Sequence, residues 1–425
     1  MKLRNKWFGA LLLVALVLSA CSDGNTDSGD GNVEETGEAK VTLDVIWFSD
    51  GDEGEVFKEI TEEYKKEHPN VEFNIIDTPY SDVNDRIRTR VSGGDAPDLA
   101  RVSNPGMISD ALLELDDYFD SKETFLEQLS PSARPWAQVG DKFVAVPTDM
   151  TAHGLFYNKA YFEQAGVEVP SSPDDLWDWD EFANAIEKVK ENSDARMGLA
   201  YDMSPSRYST LIYQNGGTIF SEDGTQLTIN EPEAVGALEY FKELHDREII
   251  PKSIWLGGEN PNSMFRSAQA AMHLSGNWNL QNYSENAGFE WGVTYLPEEV
   301  RRSSVAGGKQ MVAFKDSEHT DEAAEFLQYF ISKDVNEKYV KESLFLSPRN
   351  DVQDVQYEIN SEAMEIFQNE LSVTPEATAN DWSNFEYMPE VEKQLTENVQ
   401  KTLNGDMSPQ EAMDDIVEST DMGSE

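Results

Sequence analysis

Apolar side chains recur at period two in Val41, Leu43, Val45 and Trp47, which predicts a half-buried strand. Val56, Ile60 and Tyr64 then recur at helical spacing until His68-Pro69-Asn70 breaks the pattern. VEFNII (71–76) reads as a second strand, and Val83, Ile87 and Val91 form one helical face stopped by Gly93-Gly94. DLARVS (98–103) reads as a third strand. This β-α-β-α-β order predicts a mostly parallel sheet covered by helices. After FVAVP (143–147) the alternation begins again. GLFYN (154–158) is strand-like, and a short helix runs to Gly166, followed by a loop from Pro170 to Pro173. Asp178 can cap a helix with Glu181 reaching back, ahead of Phe182, Ile186 and Val189. MGLAYD (197–202) is another strand candidate, and IFSEDGTQLTI (219–229) predicts a hairpin turning at Asp223-Gly224. Helices over about 232–246, 320–331, 334–342, 390–403 and 408–419 fill the remainder. Both halves carry α/β material without an internal repeat, so two α/β lobes are expected rather than one long sheet.

The first residues follow a different pattern. Lys2, Arg4 and Lys6 precede an apolar run from Trp7 to Ala20 that closes in Leu18-Ser19-Ala20-Cys21. Basic, apolar and small-residue regions in that order make a secretory signal peptide over residues 1–20. The run is shorter than the roughly 20 apolar residues of a spanning helix. Cleavage would leave the chain's only cysteine at the new N-terminus, and the segment resembles the bacterial lipobox, in which that thiol takes a diacylglycerol. Each buried CH₂ contributes about 0.8 kcal/mol, and two or more acyl chains anchor stably. Residues 22–39, SDGNTDSGDGNVEETGEA, are nearly devoid of apolar side chains and read as a flexible tether of about 23 Å r.m.s. span. An ordinary signal peptide beside an unrelated cysteine is the alternative.

Composition narrows the chemistry. The 425 residues hold 81 acids against 33 bases, a net charge of −48, which disfavours nucleic acid and anionic membrane surfaces as partners. One cysteine excludes disulfides within the chain and Cys-based metal clusters. The five histidines show no metal spacing, and neither a Gly-x-Ser-x-Gly elbow nor a phosphate-binding Gly-x-x-x-x-Gly-Lys loop occurs. SDGDEGE (49–55) superficially suggests a calcium loop but places Gly54 and Thr61 where the EF-hand needs oxygen ligands of another kind. A pair of glycosidase carboxylates stays open, because so many acids offer candidates. The balance points to binding rather than catalysis, with no cofactor.

Longer motifs supply a direction. The stretch from Val146 to Val189 resembles the signature of bacterial extracellular solute-binding proteins, family 1, the maltose-binding-protein-like sugar receptors of ABC importers. There a Pro-containing strand enters the second lobe, followed by Tyr-Asn-Lys, a Phe with Ala-Gly, and Trp-(Asp/Glu)-Glu-Phe. The counterparts are Pro147, Tyr157-Asn158-Lys159, Phe162 with Ala165-Gly166, and Trp179-Asp180-Glu181-Phe182. GGDAPDL (93–99), MFRSAQAAMHLSGNW (264–278), WGVTYLP (291–297), AGGKQMVAF with HTDEAAEFLQYFIS (306–332), SPRND (347–351) and NGDMSPQEAMDDI (404–416) also match, in order. The resemblance implies a two-lobed α/β fold, periplasmic-binding-protein-like, with lobe one at 40–149 plus 305–352 and lobe two at 150–304 plus 353–425. A hinge near 149–151, 300 and 352 would close the lobes on ligand. It further implies a monomer that carries a carbohydrate, expected to be an oligosaccharide, to permease subunits. With the lipobox, it resembles the membrane-tethered receptors of Gram-positive bacteria. A surface glycoside hydrolase and a polymer-binding lipoprotein are the alternatives.

Sugars present apolar C–H faces and dense hydroxyl edges, so a site needs aromatic platforms and planar polar groups. The resemblance places Trp278 at a stacking position with Asn277 before it, Asp149 and Thr151 at the lobe crossing, and Tyr208 in a region of variable specificity. Arg349 and Trp382 fall in late segments that approach the cleft in relatives. Ser103 and Asn104 follow the third strand, and Ser49, Asp50 and Asp52 follow the first, at the edge where open α/β sheets bind ligands. Structural roles compete: caps or turns for Ser103, Asn104, Asp149 and Thr151, a salt bridge for Arg349, a core position for Trp278. Trp382 has polar neighbours (Asn380, Asp381, Ser383, Asn384), which favours a stacking role. Some sugar binders carry a lysine in the first of these loops, but none lies between 49 and 57. Trp47 reads as core, and Tyr80, Trp136 and Trp255 have no assigned place.

Overall fold

Strand β1 (Val41–Trp47) buries the alternating face that its sequence shows, and lies parallel between β2 (Val71–Asp77) and β3 (Leu99–Val102). The crossover helices Glu53–Glu67 and Val83–Ser92 connect them. The computed structural model describes residues 39–422; the leader, Cys21 and the tether up to residue 38 lie outside the described residues. Four strands follow: β4 (Val146–Thr151), β5 (His153–Asn158), β6 (Met197–Tyr201) and β7 (Ala270–Gly276). β8 (Trp291–Thr294) and β9 (Gly307–Ala313) complete two sheets, ordered β2-β1-β3-β9-β4 and β8-β5-β7-β6.

The sheets are more mixed than the sequence predicts. Among the described residues β1–β2, β1–β3 and β6–β7 run parallel, and the other ladders between these strands are antiparallel. The cause is the path of the chain. β4 leaves the first sheet at Thr151, and β9 re-enters it opposite that residue, pairing Gly307 with Thr151, so β9 must run against β4. The expected hairpin over 219–229 shrinks to one bridge, Phe220 to Leu227. The Asp381 carboxylate takes the N–H groups of Ile219 (2.8 Å) and Phe220 (3.1 Å), which a ladder would otherwise need.

Local signals hold where partners are close in sequence. Glu181 N donates to Asp178 Oδ1 (2.7 Å) and Asp178 N to Glu181 Oε2 (3.1 Å), capping the helix Trp179–Asn192. Gly166, at φ 60°, ends the helix Lys159–Ala165 in the left-handed conformation. Trp47 is core, stacked on Phe57 with ring centroids 3.9 Å apart, and Trp255 is buried in the second lobe. The helix Lys333–Ser343 packs against Glu53–Glu67, whereas Ser361–Val373 packs behind β5 and β8.

Candidate functional site

The two lobes face each other across a cavity of about 440 Å³. Asp50, Tyr80, Ser103, Asn104, Trp136 and Lys309 line it from the first lobe, and His153, Ser204, Arg207, Trp278, Trp382 and Glu392 from the other side. Asp50 and Ser103-Asn104 reach it because β1 and β3 end there, the usual ligand edge of an open α/β sheet.

A buried ion cluster holds the first-lobe loop. The Glu53 carboxylate accepts the backbone N–H groups of Asp50 and Gly51 (2.7 Å for the latter) and pairs with Arg101 at 2.9 Å. Arg101 also donates to Phe48 O (2.9 Å) and pairs with Asp149 at 3.1 Å, and all three ionic side chains are fully buried. The calcium-like segment is thus organised by an inward carboxylate and a guanidinium, and no metal-binding group of three acids or histidines occurs among the described residues. Asn104 precedes a short 3-10 helix without capping it through its side chain, and its Oδ1 is buried without a protein partner. The residue itself lines the cavity wall. Ser103 Oγ lies 3.2 Å from the Tyr80 hydroxyl, and Lys309 Nζ lies 5.9 Å from the Tyr80 ring centre.

Across the cleft, Trp278 follows β7 and its ring covers Gly276; a Cβ at 276 would stand 1.8 Å from the indole. The Arg207 guanidinium lies 4.6 Å over that ring, and its Nε is 3.3 Å from Asp202. Asp202 is itself 3.2 Å from His273 Nε2, which connects the stack to the second-lobe core. Beyond the Arg207–Trp278 pair opens another hollow, of about 430 Å³, lined also by Asn260, Asn262 and Asn279. His153 Nδ1 lies 2.9 Å from Thr210 Oγ1, and burial, with Arg207 nearby, holds its ring neutral, well below the ordinary pKa. Trp382 is half-buried and donates from Nε1 to Ser209 Oγ (3.2 Å). Burial pushes the Glu392 carboxyl up to about 7.

Of the residues singled out in the sequence, Asp50, Ser103, Asn104, Thr151, Trp278 and Trp382 come together here. Others do not. Ser49 and Asp52 line a neighbouring surface hollow; Ser49 Oγ accepts from Trp47 Nε1 (3.1 Å), and Asp52 is bonded to Gln281. Asp149 is fully buried on Arg101. Tyr208 is a core residue, packed edge-on to Phe241 at 5.3 Å. Asn277 braces the lobe crossing, accepting from Ala152 N (3.1 Å) and donating to Leu344 O (3.0 Å). Arg349 forms the competing salt bridge, 2.8 Å from Asp351, and donates to Ile331 O (2.8 Å). Arg207, Lys309, His153 and Glu392 escape a reading by motif, as do the unplaced Tyr80 and Trp136. For Arg207 a signal existed, since it adjoins Tyr208 at the start of the helix Pro205–Gln214.

Comparison with known proteins agrees with this architecture. Residues 49–337 match the family described as bacterial extracellular solute-binding protein. An arabinooligosaccharide-binding protein of Bacillus subtilis is 24% identical over 337 residues, 75% of this chain and 74% of the relative. A lactose-binding protein of Rhizobium radiobacter is 26% identical over 300 residues, 66% of this chain and 68% of the relative. Among solved structures, an ABC substrate-binding protein of Listeria monocytogenes in complex with cycloalternan superposes with a TM-score of 0.76 at 24% identity, covering 90% of this chain and 98% of that one. With a two-lobed fold, an interlobe cleft and a family match across most of the folded chain, the protein belongs to the bacterial extracellular solute-binding proteins, which are binders and not enzymes.

Proposed function

We propose that the chain captures a sugar, an oligosaccharide, in the interlobe cleft and delivers it to the permease subunits of a carbohydrate ABC importer. The observation that carries this reading is the pairing of a tryptophan platform, Trp278 over Gly276, with polar side chains on the opposite wall of the cavity, Asp50, Ser103 and Lys309 among them. Indole faces suit the C–H side of a pyranose or furanose, and amide and carboxylate oxygens accept its hydroxyls. The relatives named for arabinooligosaccharide and lactose binding support a saccharide. On this reading the protein acts as a monomer, its lobes are 40–149 plus 305–352 and 150–304 plus 353–425, and a lipid on Cys21 holds it to the outer face of the membrane.

The test mixes the purified full chain with arabino-, malto- and galacto-oligosaccharides and follows the melting temperature, with product analysis of the same samples. A ligand at 100 times its Kd adds about 2.7 kcal/mol, a shift of several degrees. The expected result is a saturable shift with the sugar recovered intact. Consumption of the sugar would indicate a hydrolase instead, and no shift with any saccharide would remove the reading. Trp278→Ala is expected to weaken the binding at least tenfold and to lower the melting temperature of the free, still folded protein through loss of the Arg207 stack. For the anchor, Cys21→Ser should move the protein from the membrane fraction to the medium; continued membrane association would remove that part.

A further inference from the structure

The chain passes between the two sheets at Ala152, where β4 leads into β5, and again between β8 and β9. A third crossing follows the helix Lys333–Ser343, since Ser361–Val373 packs against β5 and β8. These crossings are bonded to one another. Met150 N donates to Leu346 O (2.7 Å) and Leu346 N to Met150 O (3.0 Å), joining the first crossing to the third. His153 N donates to Ser304 Oγ (2.7 Å), joining the first to the second.

The buried Asn277 side chain sits at this junction and uses both ends of its amide there, Oδ1 for Ala152 N and Nδ2 for Leu344 O. Leu344 ends its helix at φ 59°, in the left-handed region that a Cβ disfavours. Its carbonyl direction therefore needs an outside constraint, and the Asn277 amide supplies one. Asn277 also opens the 3-10 turn Asn277–Asn279, which carries Trp278 into the cleft. The far end of that turn is fixed in the second lobe. Asn279 Nδ2 donates to Ser275 Oγ (2.7 Å), and its Oδ1 accepts from Asn262 (3.0 Å) and Asn282 (3.1 Å). The indole thus stands on a short turn with one end bonded to the crossings and the other to the second lobe.

We propose that Asn277 is a positioning residue for ligand capture. It ties the Trp278 turn to the first and third crossings, so that the indole keeps its register with the first-lobe wall of the cleft. Asn277 does not line the cavity and acts through Trp278. The inference rests on the sugar-binding reading above.

The test is a double-mutant cycle on the full chain. Asn277→Ser leaves a hydroxyl too short to span both backbone groups, so at least one of the two bonds is lost. The parent, Asn277→Ser, Trp278→Ala and the double variant are titrated calorimetrically with arabinotriose, maltotriose and lactose. Hydrogen exchange of the free proteins reads the Ala152 and Leu346 amides. In Asn277→Ser these amides are expected to exchange at least tenfold faster, and the Kd of the sugar that binds to rise at least tenfold. On the Trp278→Ala background the same substitution should add less than threefold, because the platform through which it acts is gone. Asn277→Asp, which keeps the volume and the acceptor for Ala152 N, repeats the cycle should the first variant fold poorly. Native exchange, native affinity, or an equal loss of affinity in both backgrounds overturns the positioning role and leaves the sugar reading intact. Failure of every saccharide to bind overturns both.

Discussion

The indole of Trp278 occupies the space that a side chain at position 276 would need, so the platform depends on a glycine. Gly276→Ala puts a methyl group 1.8 Å from the ring, far inside van der Waals contact. The backbone there is ordinary extended chain, so the cost comes from the collision and not from φ. Overpacking of this kind costs about 1–3 kcal/mol unless the ring moves away. Moving the ring also separates it from Arg207, whose stacking contributes about 0.5–2 kcal/mol. Gly276→Ala is therefore expected to lower the melting temperature and to weaken ligand binding at least tenfold, read by thermal melts and titration. Native affinity in this variant would show that Trp278 is not the platform.

Elements differ in how far their own sequence specifies them. The capping box of Trp179–Asn192 is complete within four residues, and Asp178→Ala should cost about 1 kcal/mol through loss of the cap, with ligand affinity unchanged. Urea unfolding would measure it; an unchanged midpoint would mean that the cap adds nothing to the global transition. The same locality made β1, β2, the helix Val83–Ser92 and the late helices legible. β7 was not, because it is buried throughout between β5 and β6 and so shows no alternation to read. The direction of β9 depends on where β4 leaves the sheet, over 150 residues earlier in the chain. The cleft was legible to the level of the loop rather than the side chain. Asp149 and Thr151 stand two apart on β4, yet Arg101, far away in sequence, draws the carboxylate inward and leaves Thr151 at the cavity. Tyr208 turns into the core while the preceding Arg207 faces the ligand space, a difference of one step around a helix that only tertiary packing fixes.

For the whole molecule, pH tests how the acidic charge is distributed. Burial pushes Glu370 up to about 7, Asp381 to about 6 and Glu392 to about 7. An unfolded carboxyl ionises near 4. The folded chain thus binds these protons more tightly, and the stability they contribute, complete below about pH 4, is lost as pH rises through 6 to 7. Buried histidines act in the opposite sense. His153 is held well below its ordinary value and His245 at about 4, so their contribution is lost in acid, as the unfolded imidazoles take up protons below about pH 6.5. Above that pH the unfolded imidazoles are already mostly neutral, and the carboxyls determine the slope. The melting temperature is therefore expected to fall between pH 6.5 and 8. Repulsion across a chain of net charge −48 acts in the same direction, but in 1 M salt, where the Debye length is about 3 Å, it is largely screened. Glu370→Gln separates the two sources: Oε1 accepts from Leu296 N (3.0 Å), a bond the amide oxygen can keep, while the titrating proton is gone. In 1 M salt this variant should show a flatter fall between pH 6.5 and 8 than the parent. Equal slopes in parent and variant would mean that Glu370 is ionised in the folded chain throughout, with Arg302, 3.4 Å away, outweighing the cost of burial.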